Sequence, residues 1–154
     1  MKTHVSRIAL ALLILVGAAA CTPDELKQWW TANGVDYSTK TEEQIAFEAF
    51  VITLWKQEQA ELNKFASALG DDQLYRLRMC ESTDNYGAVS ANGLYMGAYQ
   101  FSQTTWNYVA NRYYGGRHAG VRPNQVAPTW QDAFTRALFA EQGRGPWPVC
   151  GRRI

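Results

Sequence analysis

Histidine is almost absent from this chain, which has only His4 and His118. Zinc sites draw their ligands from clusters of histidine, cysteine and carboxylate residues, and the sequence shows no such cluster. It also has no glycine-rich loop of the nucleotide-binding type and no serine–histidine–aspartate set. These absences argue against metal, nucleotide and serine-nucleophile chemistry, and we expect neither a metal nor a cofactor.

The chain also lacks an excess of either positive or negative charge. The 15 Lys and Arg residues against 14 Asp and Glu residues give a formal net charge of +1, so nucleic acid is not an expected partner. The 154 residues, of which 47% are hydrophobic, suit one globular domain with a short appendage. Beyond residue 100, seven arginines accompany only Asp132 and Glu141. This imbalance either favours an acidic polymer such as cell wall or forms an ordinary solvated face.

A long uninterrupted apolar run occurs only near the N-terminus, from Ile8 to Val16. The basic residues Lys2 and Arg7 precede it, and the small residues Gly17-Ala18-Ala19-Ala20 follow it. This order is typical of a signal peptide, and the run is shorter than the roughly 20 residues of a membrane-spanning helix. We therefore expect residues 1–20 to direct export and to be removed.

Cys21 comes directly after this segment, in an arrangement that resembles a bacterial lipoprotein signal with lipid attached to the cysteine. The usual pattern has leucine three residues earlier, where this chain has Ala18, so ordinary signal-peptidase cleavage is the alternative. An exported protein with three cysteines has one left over after a disulfide forms. We expect lipidation of Cys21, which would place the protein on the outer face of the cytoplasmic membrane; without it the protein would be secreted to the cell wall.

Most of the remaining sequence has a helical pattern. Residues 22–70 are expected to begin with a polar segment, in which Trp29 and Trp30 cap a neighbouring helix or touch a membrane. One long helix is then predicted from Thr41 to Leu69, with Gly70 ending it. This N-terminal segment would act as a spacer or pack on the domain that follows.

Residues 71–154 form the second predicted domain. Loops with a small hairpin are expected over residues 82–99, which are rich in Gly, Asn, Ser and Tyr. The last helix should open with a capping box in which Asp132 replaces the usual Glu or Gln. The predicted helices run from Asp71 or Asp72 to Glu81, from a Ser102 cap to Tyr113, and from Thr129 to a stop at Gly143. The fold class is mainly α with a small loop or β wing.

Glu81 is the candidate catalytic residue. It lies where an apolar-patterned helix gives way to a polar loop, so its carboxyl group can be partly desolvated and remain protonated near neutral pH. A protonated carboxyl is the state that a general acid needs, and lysozyme cleaves sugars with such a group. The amide and aromatic side chains nearby suit a polyhydroxylated ligand. Because a glutamate at a helix end is more often a surface charge, the neighbouring motifs decide the interpretation.

The motifs, in chain order, are Cys80-Glu81-Ser82, Asn85-Tyr86, Asn92-Gly93, Gly97 with Gln100-Phe101, Thr105-Trp106 and Trp147-Pro148-Val149-Cys150. Together they resemble the resuscitation-promoting-factor core, a transglycosylase-like domain with a lysozyme-like fold. The resemblance covers residues 74–151, about half of the chain, and implies nothing about residues 22–70, where the long helix is predicted from its apolar spacing. It implies a mainly α fold with a small β wing beside Glu81, closed by one disulfide.

The resemblance also implies roles for single residues. Glu81 matches the catalytic glutamate of the family, and a disulfide between Cys80 and Cys150 would leave Cys21 as the odd cysteine. Thr83-Asp84 stands where many members have Gly-Gly, so Asp84 is either a second carboxylate, as many glycosidases use, or a residue that structures the loop. The implied substrate-binding residues are Asn92, Gln100, Thr105 and Trp106, with Tyr95 and Trp147 as weaker candidates.

The implied function is cleavage of peptidoglycan at the β-1,4 bond between N-acetylmuramic acid and N-acetylglucosamine. Since no second acid is clearly placed, lytic transglycosylation with Glu81 alone is favoured, and muramidase-type hydrolysis is the alternative reaction. A non-catalytic wall-binding or signalling lipoprotein is the alternative from another class. We expect a monomer whose partners are glycan strands and, through Cys21, the membrane.

Overall fold

The computed structural model describes residues 21–154, so the predicted signal peptide lies outside the described residues. The fold is mainly α with one two-stranded sheet, as predicted, and two compact units divide between Ala60 and Glu61. No described helix is both long and apolar enough to cross a membrane. The helices are α1 (Pro23–Ala32), α2 (Glu42–Leu62), α3 (Asp71–Ser82), α4 (Gln103–Tyr113) and α5 (Pro128–Gln142); the strands are β1 (Tyr95–Met96) and β2 (Phe101–Ser102); short 3-10 turns occupy Pro123–Gln125 and Cys150–Arg153.

Helix α1 was not predicted, although its start has a capping box. The hydroxyl of Thr22 accepts a hydrogen bond from the Glu25 amide at 3.2 Å, and the Glu25 carboxylate accepts one from the Thr22 amide at 2.8 Å. The two adjacent tryptophans lie inside this helix rather than at the end of another. Trp30 is buried and packs on Tyr37, whereas Trp29 is exposed.

Helix α2 ends at Leu62, seven residues before its predicted end. The chain continues in turns closed by bonds between residues three apart, such as the Ala66 amide to the Asn63 carbonyl at 3.0 Å. The reason is tertiary, because Leu69 is fully buried and Phe65 packs against the core of the C-terminal unit. Gly70, predicted to end this helix, instead precedes the first residue of α3.

The core of the C-terminal unit is built on aromatic rings from α4 and α5. The rings of Trp106 and Phe134 lie 4.2 Å apart, and Tyr114 stacks on Phe134 at 4.8 Å. The disulfide between Cys80 and Cys150 is present as predicted and joins the end of α3 to the C-terminal 3-10 turn. With a sequence separation of 70, it stabilises the fold by about 4 kcal/mol in the chain-entropy model.

The predicted capping box at the start of α5 is wrong. The N-cap residue is Ala127, which makes no side-chain cap bond, and the side chains of the first turn are used for tertiary contacts instead. The buried side chain of Gln131 accepts a hydrogen bond from the Ala98 amide at 2.9 Å. Its amide group donates to the carbonyls of Tyr86 at 3.1 Å and Val126 at 2.9 Å. One side chain thus fixes three loop backbones, while Gly143 ends the helix as predicted.

The β wing is the short hairpin of β1 and β2, which pair antiparallel with Tyr95 opposite Ser102 and Met96 opposite Phe101. It confirms the expected hairpin but extends beyond the predicted range. Gly97 follows β1 with a φ of +80°, in the left-handed region that favours glycine. A Cβ atom at this position would lie 2.4 Å from Oε1 of Gln131, so the backbone passes too close to α5 for any side chain.

Replacing Gly97 by alanine is therefore expected to cost about 3 kcal/mol of unfolding free energy, through left-handed strain together with the clash. Gly93→Ala is the matched control, because Gly93 is also left-handed, with a φ of +72°, but has open space around it. We expect this control to cost about 1 kcal/mol. Urea unfolding of both variants measures the difference, and equal losses would contradict the close approach between Gly97 and Gln131.

Candidate functional site

Glu81 lies in the last turn of α3. Its carboxyl group is half-buried, and this burial raises its pKa above the usual value. Among the described residues, no side chain or amide donates a hydrogen bond to this carboxyl group, so nothing there offsets the effect of burial. The adjacent Ser82 hydroxyl donates to the carbonyl of Ala98 at 2.9 Å and so ties this turn to the β wing. Glu81 thus has a partly desolvated carboxyl group with a raised pKa, which is the property that a general acid needs.

The two residues that follow α3 adopt an uncommon backbone conformation. Thr83 and Asp84 have φ values of 54° and 63°, in the left-handed region where residues other than glycine are rare. The carboxylate of Asp84 accepts a hydrogen bond from Nε of Arg78 at 2.7 Å, and the Asp84 amide donates to the Arg78 carbonyl at 3.2 Å. The carboxylate of Asp84 is therefore paired with the guanidinium group of Arg78.

A polar cluster extends from Arg78 across to α5. Tyr86 and Tyr99 donate their hydroxyl protons to the same oxygen of Asp132, at 2.8 and 2.6 Å. Nη1 of Arg78 donates to the Tyr99 hydroxyl at 3.0 Å and lies 3.7 Å from Asp132. Burial, and then the Asp132 charge, raise the pKa values of both tyrosines far above their usual value. The raised pKa values keep both tyrosines protonated near neutral pH, as hydroxyl donors to Asp132.

An open cleft of about 180 Å³ is lined by residues of the β wing, including Tyr99 of the polar cluster. Four of the predicted substrate-binding residues line it together: Tyr95, Gln100, Thr105 and Trp147. Ser102, Gln142 and Pro146 also line it, and the sequence patterns gave no sign of them. The cleft combines amide, hydroxyl and aromatic groups, which suits a sugar chain.

Internal hydrogen bonds hold the walls of this cleft. The side chain of Gln100 donates to the Gly97 carbonyl at 2.9 Å, and the Trp147 indole donates to the Tyr99 carbonyl at 3.0 Å. Only a small part of Trp147 is exposed, whereas nearly half of Tyr95 is accessible. The cleft is therefore a preformed surface in which Tyr95 presents the larger accessible ring.

Four predicted site residues, Asp84 among them, lie outside the lining of this cleft. Trp106 is completely buried, and its indole donates to the carbonyl of His118 at 3.0 Å. Asn92 is exposed in the loop before β1, where its side-chain oxygen accepts a bond from the Ser90 hydroxyl at 2.7 Å. Glu81 lies next to the wing rather than in the cleft itself.

Sequence reasoning also missed Arg78 and Asp132 as members of the site. Both are charged residues on predicted helices whose side chains are partly buried. For Arg78, its position beside the apolar residues Leu74 and Leu77 was the one sign in the sequence that its side chain faces inward. Within residues 21–154, no three His, Cys, Asp or Glu side chains are grouped to hold a metal ion.

Comparison with known proteins agrees with this architecture. Resuscitation-promoting factor RpfA of Mycobacterium tuberculosis is 36% identical over 89 residues, which is 58% of this chain and 20% of that protein. Resuscitation-promoting factor Rpf1 of Corynebacterium glutamicum is also 36% identical over 89 residues, again 58% of this chain and 43% of that protein. The probable transglycosylase SceD of Staphylococcus carnosus is 34% identical over 77 residues, 50% of this chain and 32% of that protein.

The chain thus spans less than half the length of each of these relatives. No solved structure gives a significant match to it. Residues 69–150 match the family model of the transglycosylase-like domain, and they include α3, the β wing, α4, α5 and both cysteines of the disulfide. Because this match takes in more than half of the chain, the protein belongs to the transglycosylase-like domain family, the one that the motifs around Glu81 predicted.

Proposed function

We propose that this protein cleaves peptidoglycan glycan strands at the β-1,4 bond between N-acetylmuramic acid and N-acetylglucosamine, by lytic transglycosylation with Glu81 as its catalytic acid. The observation that carries the proposal is the half-buried carboxyl group of Glu81, because its burial raises its pKa. The next residue, Ser82, is hydrogen-bonded to the β wing, which lines the cleft. The transglycosylase name of one relative supports the same reaction.

In this reaction Glu81 first donates its proton to the oxygen that links the two sugars, and that bond breaks. The ionised Glu81 then takes the proton from the C6 hydroxyl of the muramic sugar, whose oxygen closes a 1,6-anhydro ring. The acetamido group of the sugar stabilises the cationic intermediate between the two steps. Glu81 gives one proton to the leaving sugar and recovers one from the C6 hydroxyl, so the reaction requires no second carboxylate.

The placement of the other carboxylates supports the same choice. Asp84 is bonded to Arg78, and Asp132 accepts two tyrosine hydroxyls, so both are engaged near Glu81. Inverting and retaining glycosidases need a second carboxylate that can activate water or attack the sugar. Muramidase-type hydrolysis is accordingly the less favoured reaction, and its products would carry free reducing ends.

The strand is proposed to bind along the cleft. Gln100 and Thr105 offer an amide and a hydroxyl to sugar hydroxyl groups, while Tyr95 and the exposed edge of Trp147 offer apolar faces. Asn92 lies on the exposed loop before β1 and extends this set. We assign Trp106 a supporting role, since its buried ring packs edge-on against Phe101 at 5.4 Å beneath the cleft.

Export completes the proposal. Residues 71–154 are the catalytic domain, residues 22–70 are a spacer or packing segment, and the mature protein is a monomer held at the outer face of the membrane by a lipid on Cys21. Cys21 is the one described cysteine outside the disulfide, and it is buried, with its amide donating to the Thr53 hydroxyl at 2.8 Å.

Glu81→Gln is expected to lower the rate of glycan cleavage by at least about 100-fold, because the glutamine amide cannot donate a proton to the oxygen that links the two sugars. Mass spectrometry of the products from purified peptidoglycan should show anhydro-muropeptides from the wild type alone. Asp72→Asn is the control, since it removes an exposed carboxylate at the other end of α3 and should leave the rate unchanged. A folded wild type that binds the wall without cleaving it would favour the wall-binding lipoprotein.

The same substitution should stabilise the protein at about pH 7 but not at about pH 4. Because burial raises the pKa of Glu81, its stabilising contribution is present below the unfolded pKa and is lost as pH rises through the folded pKa. Glutamine is neutral throughout and avoids that loss. Asp72 is the opposite case, because the hydrogen bond from Arg76 lowers its pKa. We therefore expect Asp72→Asn to be less stable than the wild type at neutral pH. Thermal unfolding across this range measures both, and a Glu81→Gln variant that is no more stable than wild type at neutral pH would contradict the burial effect.

Cys21→Ser is expected to release the protein from the membrane. When the full chain is expressed in a bacterium with lipoprotein processing, the wild type should fractionate with membranes and its N-terminal peptide should carry the added mass of lipid. The serine variant should be soluble in the medium or periplasm. A wild-type protein whose mature N-terminus is unmodified would rule out the lipid anchor and leave ordinary secretion.

A further inference from the structure

The turn directly after Glu81 is held in a conformation that its residues do not favour. Thr83 and Asp84 are both left-handed, with φ values of 54° and 63°. Each such residue costs about 1 to 2 kcal/mol relative to an ordinary conformation, and two in succession need external support to persist. Thr83 is β-branched, so it is among the residues that adopt this region least readily.

The support comes from Arg78, one helical turn before Glu81. Its Nε donates to the Asp84 carboxylate at 2.7 Å, and its carbonyl accepts the Asp84 amide at 3.2 Å. Only 14% of the Arg78 side chain is exposed, so this ion pair is less screened than a surface pair. The left-handed turn is thus closed by one residue through both its backbone and its side chain.

The same guanidinium group reaches the wing that carries the cleft. Its Nη1 donates to the hydroxyl of Tyr99 at 3.0 Å and faces Asp132 at 3.7 Å. It also lies 5.3 Å from the ring of Tyr86, in cation–π geometry. Tyr99 lines the cleft and immediately precedes Gln100. Arg78 therefore connects the turn after Glu81 with the backbone that presents a proposed substrate-binding residue.

We propose that Arg78 is a positioning residue for Glu81, and that its bond to Asp84 fixes the left-handed turn directly after Glu81, at the end of α3 that Ser82 ties to the β wing. This inference rests on the proposed function, and it gives Asp84 the role of an acceptor rather than of a second catalytic carboxylate. A misplaced acid slows the proton-transfer step far more than it weakens binding of a long glycan.

Three variants of the full chain test this role: Arg78→Ala, Asp84→Ala and Asp84→Asn. We expect the two alanine variants to lose about 10- to 100-fold in kcat on a soluble glycan, with KM changed by less than about threefold. Asparagine keeps the side-chain oxygen that accepts the Arg78 bond and tolerates left-handed geometry, so Asp84→Asn should recover most of the kcat that Asp84→Ala loses. Assays are run well below the melting temperature of each variant.

Two outcomes would overturn the proposal. If Asp84→Asn is as slow as Asp84→Ala, the carboxylate itself takes part in the reaction; if Arg78→Ala keeps the wild-type kcat, the turn does not position Glu81. Hydrogen exchange of the Asp84 amide gives a readout that does not depend on activity, since it should speed up in both alanine variants and not in Asp84→Asn. A wild-type chain that makes no product refutes the proposed function, and the exchange rates then decide separately whether Arg78 holds the turn.

Discussion

The C-terminal unit depends on two neighbouring side chains that the first turn of α5 directs inward. Gln131 satisfies one amide and two carbonyls of separate loops, and a buried primary amide with every group paired adds both stability and a unique geometry. Asp132, next to it, receives the hydroxyls of Tyr86 and Tyr99. These bonds hold the loop after Glu81 and the β wing against α5. Removing Gln131 would leave one amide and two carbonyls without these bonds, and removing Asp132 would leave two tyrosine hydroxyls without their acceptor.

Glu81 contrasts with every other carboxylate around it. Asp84 and Asp132 both contact the guanidinium group of Arg78, whereas the carboxyl group of Glu81 has only partial burial acting on it, which raises its pKa. Carboxyl groups with different environments take different chemical roles, as two-carboxylate glycosidases also show. The disulfide at Cys80, directly before Glu81, holds the end of α3 against the C-terminal turn. A carboxyl group with a raised pKa therefore lies directly after a disulfide-bonded residue.

Features with local signals were predictable from the sequence. The Ser102 cap of α4, the Gly143 stop of α5 and the motif run that identified the family and the disulfide all depend on residues close together in the chain. The predictions were wrong where contacts with residues distant in the sequence determine the local structure. Burial of Phe65 and Leu69 ends α2 early, and hydrogen bonds from loops more than thirty residues away turn Gln131 and Asp132 away from the capping role. Arg78 could not be placed for the same reason, since its partners Tyr99 and Asp132 lie far along the chain, between the two strands and in α5.

A single carboxyl group that cleaves a glycan strand by internal transfer adds no water to the product. Digestion of purified peptidoglycan by the wild-type chain in heavy-oxygen water, followed by mass spectrometry of the muropeptides, measures this directly. The account predicts anhydro products without heavy oxygen, formed only when Glu81 is intact. Reducing-end products that carry one heavy oxygen would contradict it, because they require a water molecule activated by a carboxylate at the site of cleavage.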